Sequence, residues 1–543
     1  MKRASFFSFL RIFIFLFLTT KGNVYAQPKL VVGIVVDQMR ADYIQRYWDN
    51  YSPGGFKRLF NNGFVCMNTH YHYVPTYTGP GHASVYTGTS PAVHGIVGNN
   101  WYQKDENRMV YCTQDDEVKS VGTDKPSGKM SPRRMLAPTL GDELRMTSQN
   151  QSKVISLSLK DRAAILPAGH SANAAYWYDN GMFVSSSWYL NELPAWVKSF
   201  NSTARAEALL SNDWDLLLPI AQYRSSREDD NFYEAAFKGE SKPVFPHKQK
   251  MLAPLNGGNN LIRSTPFGNT LIKEFAIAAI EGEKLGIDSH TDLLAISFSS
   301  TDYIGHQFGI DALETEDTYL RLDRELEEFL IYLDKKFGKD QFLIFLTADH
   351  AAVRAPSLLM AEKIPAGHFD AEGILDSLNR KCTAAFGKSF ILAFENQQVY
   401  IDMASIRKAG ISYVDVQNLC RDFLLSQRGV LDVFEADDIN SLSAAGGIKA
   451  KIAAGFFPKR SGELIVQLNP GWTEHAEKGT THGAPYAYDT HVPLIFYGAQ
   501  VKSGKSWSEY TVADIAPSIS AILGISSPGA ATGKVITPLL EKP

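Results

Sequence analysis

Cysteine is scarce in this 543-residue chain: Cys66, Cys112, Cys382 and Cys420 are all there are, and no two form a C-x-x-C pair. That excludes a cysteine zinc knuckle. Export would permit Cys66 to pair with Cys112 and Cys382 with Cys420, but the sequence does not choose a connectivity. Basic charge is not in excess either. With 54 Lys+Arg against 58 Asp+Glu, the net charge of −4 leaves no footprint for gripping a phosphate backbone, so no nucleic-acid partner is expected. Internal repeats and low-complexity segments are absent. Past the N-terminus no apolar run is long enough to span a bilayer. What remains is a folded chain, 44% hydrophobic and 21% charged, with ample core for one large domain with insertions or for two or three domains.

The first 26 residues have the pattern of a secretory signal. Lys2 and Arg3 precede an apolar run around Ile12–Leu18, and Val24-Tyr25-Ala26 supplies a small-residue cleavage site. The mature chain is expected to begin near Gln27, without a stable membrane anchor, because the run is short and Arg11 interrupts it.

Four β-branched or apolar runs read as strands buried on both faces, the habit of parallel sheets. Leu30–Val36 ends at Asp37, and Val154–Leu159 ends at Lys160-Asp161-Arg162. Leu293–Phe298 runs into Ser299-Ser300-Thr301-Asp302, and Phe342–Thr347 into Ala348-Asp349-His350. Helical patterns at Asn269–Ala279 and Glu316–Phe337 alternate with them, the second stopped by Gly338. The alternation predicts a doubly wound, mostly parallel α/β sheet with helices on both faces, and Val492–Phe496 as its last strand. Ligands bind beyond the carboxyl ends of such strands, where Asp37, Lys160, Asp302 and Asp349 all fall.

Two regions break the alternation. Residues 163–261 are rich in aromatics, with a hairpin signal at Asp179-Asn180-Gly181, and are expected to form an inserted cap. Residues 356–474 mix helices with short strands such as Gln398–Ile401 and suggest a second α+β insertion. The catalytic core is then 27–355 and 475–543.

Within Pro75–Ser84, Thr78 is the candidate nucleophile. The residues after it turn helical, Pro80 fits a first helical turn, and a hydroxyl there faces unpaired backbone N–H groups and the positive end of a helix dipole. An ordinary helix start has the same pattern, so partners must decide. Asp302 and His306 stand four residues apart, on one face of a helical turn, and Asp349-His350 is a second pair. His482 lies in the glycine-flanked Gly479–Gly483 loop. Carboxylates mixed with imidazoles suit zinc. The spacing groups Asp302, His306 and His482 as one site, and Asp37, Asp349 and His350 with the Thr78 oxygen as another. Two metals so held can grip both oxygens of an in-line phosphoryl transfer. The remaining histidines, including His70, His72, His82, His94, His170, His368, His475 and His491, are expected to be structural or solvated.

Taken together, DQMRADY, PTYTGPGHASVYTG, HGIVGNNWY, LKDR, STDYIGHQFG, TADH and THGAPYAYDTHVPLIFYG resemble the alkaline phosphatase superfamily. They are most similar to its PafA-type, phosphate-irrepressible alkaline phosphatases, neighbours of the nucleotide pyrophosphatase/phosphodiesterases. The resemblance implies an alkaline-phosphatase-like fold and a periplasmic enzyme with two Zn2+ that hydrolyses small-molecule phosphate monoesters through a phosphothreonine. It makes Thr78 the nucleophile, Asn99 a ligand of a phosphoryl oxygen, and Lys160 and Arg162 the holders of the others. In an extended LKDR segment those two cations would share a side. They also separate this chain from diesterase relatives, which lack the pair. Because Lys160 falls where the wider superfamily holds a third metal, magnesium is not expected. The sequence does not set the oligomeric state, though a monomer is favoured. The competing readings are a diesterase or pyrophosphatase of the same superfamily and an inactive zinc-binding scaffold. A sulfatase is excluded, since Thr78-Gly79-Pro80-Gly81 lacks both its nucleophile and its arginine.

Overall fold

The computed structural model describes residues 27–224, 226–474 and 478–540. The expected signal segment, residues 1–26, and His475 lie outside the described residues. Among those described, no helix is long and apolar enough to cross a membrane.

One ten-stranded sheet carries the molecule. In chain order its strands are β1 (Leu30–Val36), β2 (Phe64–His70), β3 (Ser120–Val121), β4 (Val154–Ser158), β5 (Ala174–Asp179), β6 (Met182–Ser186), β7 (Asp292–Phe298), β8 (Phe342–Thr347), β9 (His491–Gly498) and β10 (Gly504–Thr511). Across the sheet they run β10-β2-β9-β8-β1-β7-β4-β5-β6-β3. The central five, β8 to β5, are mutually parallel. Every residue of β1, β4, β7 and β8 is buried, which is why they are continuous apolar runs in the sequence. Helices cover both faces of the sheet.

Register decides where the chemistry goes. Val35 lies opposite both Ser297 and Thr347, and Ser158 opposite Ser297, so β1, β4, β7 and β8 end level with one another. Asp37, Lys160, Asp302 and Asp349 therefore emerge along one edge.

The outer strands differ from expectation. β9 is not the last strand and is antiparallel to both neighbours; β10 follows it and pairs with β2. β10 is GKSWSEYT, mostly exposed, so no apolar run announces it. The aromatic stretch expected to form a cap instead contributes β5 and β6 to the sheet. Its rings serve the core: Phe183 stacks on Phe275 of the helix Phe267–Glu283 with centroids 3.6 Å apart, and Tyr176 meets the same ring edge-on. Asn180 and Gly181 close the hairpin with positive φ, as a two-residue turn requires.

A four-stranded antiparallel sheet lies within 356–474, ordered Ile391–Glu395, Gln398–Ile401, Leu464–Leu468, Val430–Glu435. It has its own apolar core, built with the helices Ala371–Phe386 and Tyr413–Leu425. Cys382 and Cys420 face each other there with sulfurs 4.0 Å apart. Cys66, in the main core, and Cys112, in a separate cluster, are not brought together.

Candidate active site

Thr78 opens the buried helix Thr78–Thr87, with Tyr77 in extended backbone before it. The two glycines after it have separate reasons. A Cβ on Gly79 would crowd Asn99 Oδ1, the Cys112 sulfur and the Gly98 carbonyl, all within 3.3 Å. A Cβ on Gly81 would overlap the Asp349 backbone. The helix start is thus pressed against the strand end that carries Asp349-His350, and only glycine allows that approach.

Around it the expected ligands converge. Asp302 and His306 lie on the helix Ser300–Phe308, with Nε2 3.2 Å from Asp302 Oδ1, and His482 Nε2 is 3.7 Å from the same oxygen. His350 Nε2 stands 3.6 Å from Asp37 Oδ1 and 3.4 Å from Asp349 Oδ2. Two groups are compact enough to hold metal ions: Asp302, His306 and His482, and Asp37, Asp302 and His350. Asp302 therefore stands between the groups, whereas spacing assigns it only to the first and gives the second Asp37, Asp349 and His350 with the Thr78 oxygen. Asp349 reaches that second group through Oδ2, while its Oδ1 accepts from the Gln38 amide.

The histidines are oriented as ligands. Each donates its Nδ1–H to a backbone carbonyl: His306 to Thr480 at 2.8 Å, His350 to Ala351 at 3.0 Å and His482 to Thr76 at 2.6 Å. That fixes the tautomer and turns Nε2 into the site. Burial pushes His350 down to about 3 and holds His482 well below the ordinary imidazole range, so both are neutral donors. Burial, reinforced by Asp37, drives Asp349 far above the usual carboxylate range. Asp37 Oδ1, Asp349 Oδ2 and His350 Nε2 are buried with no hydrogen-bond partner among the described residues. Clustered carboxylates beside neutral imidazoles, with unpaired ligand atoms facing one another, are what a divalent cation satisfies.

On the other side of Thr78, Asn99 Oδ1 accepts from the Gly79 amide at 2.9 Å, leaving its NH2 group as a donor. Lys160 and Arg162 both reach the site, but not from an extended segment. Lys160 caps the helix Asp161–Ala168, whose first turn holds Arg162, because Asp161 favours a helix N-terminus. Lys160 Nζ bonds Asp37 and Asp302, each at 2.6 Å, with a third donor left over. Burial opposes its charge, yet Asp302 and Asp37 outweigh burial and raise it above the ordinary lysine value. Arg162 Nη2 lies 3.5 Å from Thr78 Oγ1.

Three further residues, none assigned to the site by sequence, contact its members. Tyr111 accepts from Arg162 Nη1 at 3.1 Å and donates to Asp161 at 2.5 Å. Gln38, in left-handed backbone, donates from Nε2 to Asp302 and from its amide to Asp349. His82, expected to be structural, is buried between Thr78 O, Ser297 and the Asp349 carboxylate. Only Gln38 carried a signal, its place beside Asp37 at a strand end.

The type I phosphodiesterase / nucleotide pyrophosphatase family model matches residues 31–492. Alkaline phosphatase PhoV of Synechococcus elongatus is 46% identical over 520 residues, covering 95% of this chain and 94% of its own. Alkaline phosphatase PafA of Elizabethkingia meningoseptica is 43% identical over 527 residues, 96% of each chain. The crystal structure of wild-type alkaline phosphatase PafA matches with a TM-score of 0.92 at 42% identity, covering 95% of this chain and 99% of that one. The chain belongs to the type I phosphodiesterase / nucleotide pyrophosphatase family and, within it, to the PafA-type alkaline phosphatases.

Proposed function

We propose that this alkaline phosphatase hydrolyses phosphate monoesters through a covalent phosphothreonine on Thr78, with two zinc ions as cofactors. Asp37, Asp349, His350 and the Thr78 oxygen would hold one zinc, and Asp302, His306 and His482 the other. When bound, the ions supply Lewis-acid chemistry, favouring the ionised threonine hydroxyl and offsetting charge on the departing oxygen. The observation that carries this reading is a buried carboxylate–imidazole cluster with unpaired ligand atoms, packed against the helix start on which Thr78 Oγ1 lies 3.5 Å from Arg162 Nη2.

Thr78 Oγ attacks phosphorus, forming the Oγ–P bond as the bond to the leaving alcohol's oxygen breaks. Water then attacks phosphorus from the vacated side, frees Oγ and releases inorganic phosphate. The Asn99 NH2 group, the third Lys160 donor and the Arg162 guanidinium bind the equatorial oxygens. Such preorganised donors are worth about 3 to 4 kcal/mol each in the transition state. Because the transition state is loose, holding the phosphoryl group in line matters more than the strength of the nucleophile. Lys2, Arg3, the apolar run and Val24-Tyr25-Ala26 support export to the periplasm.

The test is hydrolysis of a phosphomonoester and a diester sharing one leaving group, by purified protein with and without chelator. Monoester hydrolysis should dominate, vanish on chelation and return with zinc. A preference for the diester, or full activity in chelator, would overturn the reading.

Tyr111 gives a subtler expectation. Its hydroxyl ties the Arg162 guanidinium to Asp161, so Tyr111→Phe should lower kcat/KM on monoesters about tenfold, the usual worth of a hydrogen bond to a charged group. Steady-state kinetics beside a melting curve separates this from unfolding, since the midpoint should barely move.

A further inference from the structure

The four-stranded sheet reaches toward the active site through one of its hairpins. Its hairpin Ile391–Glu395/Gln398–Ile401 closes through a two-residue turn, Asn396-Gln397, with Glu395 opposite Gln398. Both turn residues have positive φ, 54° and 60°. Such turns favour Asn then Gly; asparagine tolerates the left-handed region, whereas glutamine in it is strained. Strain held in place by surrounding contacts marks a turn kept for what it touches.

What it touches is the segment that carries Asn99. Asn396 Nδ2 donates to the Asn100 carbonyl at 2.6 Å, and a Cβ on Gly98 would overlap the same amide. The Asn99 carbonyl is held separately by the Cys112 amide at 2.8 Å. Two successive carbonyls are therefore pinned, one by the residue that follows the Asn100–Gln103/Arg108–Tyr111 ribbon and one from the hairpin tip. Side chains make the contact continuous. Ala393 and Tyr400 of the hairpin share an apolar cluster with Trp101 and Val110 of the ribbon and with Val97 and Cys112 flanking it. On the tip's other side, Gln397 lines a cavity with Tyr77 and His482, and its carbonyl is fixed by the Val466 amide.

We infer that Asn396 is a positioning residue for catalysis: from the second sheet it fixes the backbone that aims Asn99 at the phosphoryl oxygen. The inference rests on the reading of Asn99 given above. An Asn99 amide aimed correctly bonds both the Gly79 amide, beside the nucleophile, and the phosphoryl group; released, it keeps neither geometry.

The experiment is a double-mutant cycle of Asn396→Gly with Asn99→Ala. Glycine adopts the positive φ freely and removes the side chain with its amide, so the lost hydrogen bond is offset and the melting midpoint should stay close to wild type. In the wild-type background Asn396→Gly should lower kcat/KM on a phosphomonoester about ten- to a hundredfold, as misplacement of a binding group does. In the Asn99→Ala background it should have no further effect, because its target is gone. Asn396→Asp, which sets a carboxylate against the Asn100 carbonyl, should cost at least as much. An unchanged kcat/KM in Asn396→Gly, or a loss that multiplies independently with that of Asn99→Ala, overturns the inference and leaves the role of Asn99 standing. If Asn99→Ala itself has no effect, both readings fall together.

Discussion

Thr78→Ala is expected to cut phosphomonoester turnover by about 10^5-fold, the scale of losing a covalent nucleophile while the rest of the site remains. The residual rate would come from binding and charge stabilisation alone. Stability should fall by no more than about 1 kcal/mol, because Thr78 is buried but is the first residue of its helix and not its cap, and alanine is the best helix former. Thr78→Ser separates hydroxyl from methyl and should retain most of the rate. Acid quenching during turnover of labelled substrate should trap phosphoprotein in the wild type and the serine variant and none in the alanine variant. An alanine variant keeping more than about a hundredth of wild-type activity would mean that water attacks the substrate directly, since loss of the nucleophile predicts far less.

Much of this was legible because buried parallel strands leave an unmistakable trace. Leu30–Val36, Val154–Ser158, Asp292–Phe298 and Phe342–Thr347 are mostly apolar, and each is followed within four residues by an ionisable residue at the sheet edge. Knowing that parallel strands end together was enough to gather Asp37, Lys160, Asp302 and Asp349. β10 left no trace, since an exposed edge strand has little to bury. β5 and β6 misled for the opposite reason: their aromatics suggest a ligand cap, yet they fill the core against Phe275. LKDR illustrates a third limit. Alternation puts Lys160 and Arg162 on one side of a strand, but the chain turns helical at Asp161, and the two cations meet the site by approaching from a cap and a first turn. Tyr111 and Asn396 act through contacts 51 and 296 residues away along the chain, which no local pattern encodes.

Removing both Lys160 and Arg162 should change which ester the enzyme prefers. A phosphomonoester presents a dianion with three free oxygens; a diester presents one charge and a substituent where a cation would bind. The two side chains are buried at the Thr78 helix start, where low dielectric magnifies their charge. Each is expected to be worth about 10^2 to 10^3 in the monoester transition state, so Lys160→Ala/Arg162→Ala should lower monoester kcat/KM by about 10^4-fold or more. The diester, which can use at most one of them, should lose about tenfold. The ratio of the two rate constants for one leaving group therefore falls by about a thousandfold. Lys160 also bridges Asp37 and Asp302, so its loss could disturb the metal ligands as well as the substrate. Bound zinc measured on the same preparations distinguishes the two: with metal content unchanged, a selective monoester loss assigns the pair to the dianion. Equal losses on both esters would assign the cations to holding the carboxylates apart, and the choice of monoesters over diesters would then have to lie elsewhere in the site.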